Sequence, residues 1–125
     1  MSESKVSAIP FTQDIGNCYI HVYNFGKAYD FYTKTLGLVP AWTNDDPKKP
    51  LAGFNMENRV GFILVGMPEP VAPLPYAAFH FRCTDAAAAR DYLIERGVQV
   101  GELAHDKHAF EFWDPEGNKL FTMDI

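Results

Sequence analysis

Phe110-Glu-Phe-Trp-Asp-Pro-Glu-Gly-Asn-Lys-Leu-Phe121 is the stretch on which the reading of this chain turns. It predicts a strand, a tight Pro-Glu-Gly-Asn reversal and a second strand running on through Met123. Pro115 sets a fixed φ for the turn, and Gly117 can take the positive φ that a reversal of this kind needs. Asp114 and Asn118 can bond the turn's own backbone, so turn chemistry alone does not make either a functional group. The hairpin gains meaning because the rest of the chain contains the same kind of unit twice.

Working outward, Asn17-Cys-Tyr-Ile-His-Val-Tyr23 alternates as a strand does. Cys18, Ile20 and Val22 form one face; Asn17, Tyr19, His21 and Tyr23 form the other. Asn24 is placed to cap a helix over residues 25–36, which Gly37 ends, with Ala28, Phe31, Tyr32 and Thr35 on or beside its apolar face. Short strands are expected near 38–44, 51–56 and 60–66, separated by the polar turns Asp45–Pro50 and Glu57–Asn58. Residues 68–75 hold four prolines in eight positions and read as a stiff connector.

Beyond the connector the pattern restarts. Ala78-Phe-His-Phe-Arg-Cys83 alternates, with Phe79, Phe81 and Cys83 on one face and Ala78, His80 and Arg82 on the other. Asp85 caps a helix over 86–96 that stops at Gly97, and strands near 98–104, 108–113 and 118–124 follow. Tyr32 to Tyr92, Gly37 to Gly97 and Leu38 to Val98 each lie 60 positions apart, whereas Val22 to Cys83 and Asn24 to Asp85 lie 61 apart. The numbering thus predicts a duplicated β-α-β-β-β unit whose second copy lacks one residue near the helix start. The units run over about 14–67 and 76–125 within a single domain spanning 1–125.

Composition narrows the class. An apolar share of 47% in 125 residues suits one globular domain with its own core. A net charge of −5 and the lack of a basic run argue against nucleic-acid binding. No apolar stretch is long enough to span a bilayer. The polar start Met-Ser-Glu-Ser-Lys lacks the apolar core of a signal peptide. Cys18 and Cys83 form no Cys-x-x-Cys pair and sit in apolar strands, as reduced thiols of a cytoplasmic protein would. There is no Gly-x-Ser-x-Gly, no phosphate-cradling glycine loop and no His-Glu-x-x-His.

The duplicated unit, with Phe31-Tyr-Thr-Lys-Thr-Leu-Gly-Leu38 closing its first helix and Asp114-Pro-Glu-Gly-Asn118 before the last strand, resembles the vicinal oxygen chelate superfamily. That group includes glyoxalase I, extradiol dioxygenases, fosfomycin-modifying thiol transferases and metal-free bleomycin-resistance proteins. The resemblance covers about residues 14–125 and marks the scaffold more than the chemistry. It implies an α+β fold: two βαβββ modules forming curved mixed sheets around a concave cavity, helices on the outside, and a homodimer.

Active members of the superfamily hold a divalent metal with His, His and Glu from the first strand of each unit and from the last strand. Carried over one at a time, those positions fall on Asn17, Ala78 and Phe121. An amide, a methyl group and a phenyl ring make a poor donor set, so the resemblance implies no metal cofactor in the usual place.

The same face offers other residues. By alternation it carries Asn17, Tyr19, His21, Ala78, His80 and Arg82, then Glu111 and Trp113, then Phe121 and Met123. Rings such as Tyr19 and Trp113 are more often wall or packing residues than rings that stack on a ligand, and both readings are carried forward. His21 and His80 read as structural histidines or as site groups. Arg82 and Glu111 are expected either to pair across the sheet or to meet a ligand. His105 and His108 flank Asp106-Lys107 and read as a solvated loop.

Two functions follow. One is a metal-free protein that captures a small organic molecule, an antibiotic among the options, with Asn17, Tyr19, His21, His80, Arg82, Glu111, Trp113 and Phe121 lining its site. The alternative is a lyase, isomerase or dioxygenase with a displaced metal site of His21, His80 and Glu111, which requires those three side chains to converge on one point.

Overall fold

The described residues form β1 (Asn17–Val22), α1 (Phe25–Asp30) continued by a π-helical turn (Phe31–Thr35), β2 (Pro40–Asn44), β3 (Leu51–Asn55), β4 (Gly61–Gly66), β5 (Phe81–Arg82), α2 (Ala86–Glu95), β6 (Ala109–Trp113) and β7 (Lys119–Met123). The structure is a computed structural model that describes residues 9–125; the polar start read above as lacking a signal peptide lies outside the described residues. The first sheet has the order β1-β4-β3-β2, with β1 parallel to β4 and the remaining pairs antiparallel. The second has the order β5-β7-β6, again with the first pair parallel. The fold is α+β with two mixed sheets of βαβββ type.

The expected alternation holds in both first strands. Ile20 and Val22 are buried while Asn17, Tyr19 and His21 are exposed; Phe79, Phe81 and Cys83 are partly buried while Ala78, His80 and Arg82 are exposed. The inward faces of both sheets join one core. Phe62 of β4 lies 5.2 Å from the Tyr32 ring, 5.9 Å from Phe79 and 5.8 Å from Phe81 (centroid to centroid), so aromatic packing runs unbroken from one module into the other.

The turn that opened the sequence reading fastens the modules. Asp114 is 4% exposed, and its carboxylate accepts four hydrogen bonds at 2.9 Å. Two come from the backbone N–H groups of Glu116 and Asn118, one from Asn118 Nδ2, and one from the Tyr32 hydroxyl of the first module. Next to it, the Glu116 carboxylate accepts from the N–H groups of Tyr23 and Asn24, where the chain enters α1. The Pro-Glu-Gly-Asn turn of the second module therefore caps the helix of the first.

The first helix departs from expectation. It does not continue as one α-helix to residue 36; Phe31–Thr35 form a π-helical turn, with Leu36 N–H donating to the Phe31 carbonyl. This relocates the length difference between the modules. Asn24 accepts from Lys27 N–H, and Asp85 from Ala88 N–H, so the helix starts match at an offset of 61 and nothing is lost there. Tyr32 is fully buried while Tyr92 is 38% exposed, and Leu93 at 4% takes the buried place that Tyr32 fills in α1. The extra residue of the first module is absorbed by the π turn before Gly37, whose φ of 76° matches the 75° of Gly97. Pairing Tyr32 with Tyr92 is thus overturned. Tyr92 instead donates to the Thr35 carbonyl at 2.7 Å, with the Arg96 guanidinium 3.5 Å from its ring centroid.

Two expected strands are also reduced. The segment 78–83 pairs only through Phe81–Arg82, because the prolines just before it hold the chain away from a ladder. The segment 98–104 makes only isolated bridges, Val100 to Phe112 and Ala104 to Ala109; Gly101 interrupts it, and its carbonyl accepts from Arg90 Nε. His105, Asp106 and Lys107 all take positive φ in the loop that follows. The end of that loop is tied down by Asp124, whose carboxylate meets His108 Nδ1 at 2.6 Å and accepts from Ala86 N–H at 2.8 Å.

Two outcomes are expected. Burial, with Asp114 beside it, pushes the Tyr32 hydroxyl well above its usual range, so it stays a proton donor. Tyr32→Phe removes one bond from a buried carboxylate and should lower the free energy of urea unfolding by about 1–3 kcal/mol; an unchanged midpoint would refute the role given to this bond. The Ala86 N–H bond, and then His108, hold the Asp124 carboxyl below its usual range. Its contribution is therefore present above the ordinary aspartate range and is lost as pH falls through the lowered value. Melting curves from pH 2 to 6 should show a shallower acid-side fall for Asp124→Asn than for wild type.

Candidate functional site

The outward face of the first sheet is built in register rows. Cα pairing sets Tyr19 beside Ile63, Ile63 beside Gly53, and Gly53 beside Trp42, one residue from each strand. A second row runs His21, Val65, Leu51, Asn44, and Asn17 begins a third with Gly61 and Asn55. Alternation puts all of these opposite the core residues Ile20, Ala52, Phe54, Phe62 and Leu64. Two features shape the surface. The Asn17 amide leans over Gly61, and the Trp42 indole lies on Gly53 where any Cβ would collide with it. Tyr19 and Trp42 remain 51% and 45% exposed.

At the β1 end of this face the proline-rich connector covers a hollow of about 250 Å³, walled by Tyr19, His21, Met67, Val71, Leu74 and Asn118. Asn118 anchors the cover: its Oδ1 accepts from Leu74 N–H at 2.7 Å, and Lys119 N–H donates to the Leu74 carbonyl at 3.1 Å. Tyr19 and His21 are therefore brought together with Asn118, which turn chemistry alone would have left as a turn residue.

The second sheet carries a separate group. His80 and His105 each meet the Phe121 ring edge-on, at 6.1 and 6.0 Å between centroids. Glu111 pairs with Lys119 at 3.6 Å, and the Lys119 ammonium lies 5.6 Å from the Trp113 ring centroid. The expected Arg82–Glu111 pair does not form. β7 stands between β5 and β6, and Arg82 aligns with Met123 whereas Glu111 aligns with Phe121. Lys119, one β-step along the same face, takes the carboxylate instead.

The metal reading fares similarly. His21 lies on the first sheet, His80 beside Phe121, and Glu111 on Lys119; among the described residues no three His, Cys, Asp or Glu side chains gather as a metal-holding group. The amide of Asn17, the methyl of Ala78 and the ring of Phe121 do not fit a divalent ion. Cys83 faces the core and lines a different hollow, about 210 Å³, on the helix side of the second sheet. Thr122 Oγ1 there donates to the Phe81 carbonyl at 2.8 Å.

Trp42 was missed by sequence reasoning. The signal was present: a lone glycine in mid-strand marks a close approach, and a tryptophan sits in the preceding strand of the same hairpin.

The profile of the Glyoxalase/Bleomycin resistance protein/Dioxygenase superfamily matches residues 14–120, and the chain belongs to this superfamily. A member of the same superfamily from Sphaerobacter thermophilus DSM 20745 superposes with a TM-score of 0.72 at 27% identity, over 90% of this chain and 97% of that one. TnmS3, an antibiotic binding protein from Streptomyces sp. CB03234, gives 0.74 at 22% identity, over 90% and 95%. The trypanothione-dependent glyoxalase I of Leishmania major gives 0.73 at 16%, over 90% and 87%. Comparison with curated proteins gives no match. A binding protein and an enzyme are thus about equally similar in shape, and the fold alone does not choose between them.

The partly exposed Glu111–Lys119 pair should contribute little to stability. A double-mutant cycle with Glu111→Gln and Lys119→Met should give a coupling of about 1 kcal/mol or less that fades in high salt. A larger, salt-independent coupling would mean that the pair is shielded from water in solution.

Proposed function

We propose that this chain is a metal-free small-molecule-binding protein, a cytoplasmic homodimer that holds a small organic ligand, such as an antibiotic, against aromatic walls. The single observation that carries this reading is the donor set at the three positions where the resemblance puts metal ligands: Asn17, Ala78 and Phe121. These groups offer a divalent ion no anionic or imidazole ligand.

Two further facts support capture. The hollow beside Tyr19 and His21 is mostly apolar with few polar groups, the usual make-up of a small-molecule site. TnmS3, of similar shape, is an antibiotic binding protein. In this reading Tyr19, Trp113 and Phe121 supply ring contacts, and Asn17, His21, His80, Arg82 and Glu111 supply polar ones.

Titration calorimetry with a metal-free bleomycin-type glycopeptide and with planar aromatic compounds tests the proposal. The expected result is saturable binding that a chelator leaves unchanged and that Tyr19→Ala weakens about tenfold. No binding by any of these compounds, or binding abolished by the chelator, would contradict it.

A further inference from the structure

The two modules are built alike, but they fill the space between helix and sheet differently. We infer that the hollow of about 210 Å³ on the helix side of the second sheet is a binding site for one small, uncharged aromatic molecule. The site is separate from the outward faces, and the inference goes beyond the capture reading without depending on it.

The duplication shows what has been withdrawn. At the offset of 61 that matches the helix starts, Ala28 corresponds to Ala89, Phe31 to Tyr92 and Tyr32 to Leu93. In the first module both rings point inward, with Phe31 buried and edge-on to Tyr32 at 5.1 Å. In the second, the Tyr92 ring stays at the surface, held by its bond to the Thr35 carbonyl and by Arg96 over its face. Leu93 is left to face the core in its place.

The sheets show a matching loss. Ile20 pairs with Leu64 and its counterpart Phe81 pairs with Thr122, so a threonine stands where the first module has a leucine. Phe81 and Phe110, in the places of Ile20 and Ala52, add bulk back, and both stand as walls of the hollow. A ring has left the layer between helix and sheet, and a space of ring size remains under Tyr92.

Size and lining select the occupant. An apolar cavity of about 150 Å³ takes up benzene, so this larger one admits a substituted ring or two fused rings. Drug-sized ligands occupy about 300–1,000 Å³ and do not fit. Leu36 and Leu38 of the first module face Ala89, Leu93, Phe110 and Phe112 of the second around the hollow. Its one charged neighbour is Arg82, whose exposed side chain alternation sends to the other face of β5. A charged ligand would therefore lose water and gain no counter-ion. Because both modules contribute walls, an occupant stabilises their docking by mass action.

The chain's two free cysteines give the readout. Cys83 lines the hollow, whereas Cys18 stands on β1 outside its lining. Alkylation of each by iodoacetamide is followed by peptide mass spectrometry. Saturating indole or toluene should slow Cys83 about tenfold and Cys18 less than about twofold, and should raise the melting midpoint. Benzoate, which is charged, and testosterone, which is neutral but has four fused rings, should do neither. Ala89→Leu adds an isopropyl group to the space and should abolish the protection of Cys83. Thr122→Leu, which takes the first module's residue, should abolish it too and serves if the other variant does not fold. Equal slowing of both cysteines, protection by benzoate, or protection that survives in a folded filling variant would overturn the site. So would no effect of indole or toluene on the unmodified protein, a result that leaves the titrations of the outward faces untouched.

Discussion

The buried carboxylate of Asp114 is the constraint on which the rest of the structure depends. A carboxylate side chain at 4% exposure is tolerable only when its oxygens are hydrogen-bonded, and four donors at 2.9 Å supply those bonds. One donor, the Tyr32 hydroxyl, belongs to the other module, so satisfying the charge requires the modules to dock in one way. Glu116 then covers the N–H groups at the entrance to α1, and Asn118 holds the connector through Leu74. A five-residue turn thereby fixes a helix, a linker and the relative placement of two sheets. With the helix-bearing faces committed to this junction and to the Phe62 aromatic cluster, the opposite faces are left to meet something else.

Much of this was legible in the chain. Period-two alternation assigned the faces of both first strands correctly, because each has one side in a core and the other outside it. Asn24, Asp85, Gly37 and Gly97 marked the helix ends by capping chemistry that is local. What was hidden depends on contacts remote in sequence. Asp114 looked like a turn residue because its own-turn bonds are visible in the sequence and its bond to Tyr32 is not. The π turn has no residue signature; it appears only as a numbering slip between offsets of 60 and 61, and the slip was placed at the wrong end of the helix.

The candidate site was legible as a face and not as a set of contacts. Alternation put Arg82 and Glu111 on one surface, but only strand order shows β7 between them and Lys119 nearer to hand. It likewise put His21, His80 and Glu111 on outward surfaces without revealing that they belong to two sheets. Trp42 escaped because it was judged as part of a short, poorly bounded strand; its importance comes from Gly53 beside it, a relation set by hairpin register.

The two outward faces differ in kind. One is neutral, apolar and flanked by exposed rings; the other carries an ion pair, two imidazoles and a tryptophan under a lysine. Where the resemblance puts metal ligands this chain has Asn17, Ala78 and Phe121, and that substitution is the centre of the account. Elemental analysis of protein purified without chelator tests it most directly. The account predicts far less than one zinc, nickel, manganese or iron per chain. A stoichiometric divalent ion that is lost on His21→Ala or Asn17→Ala would contradict it.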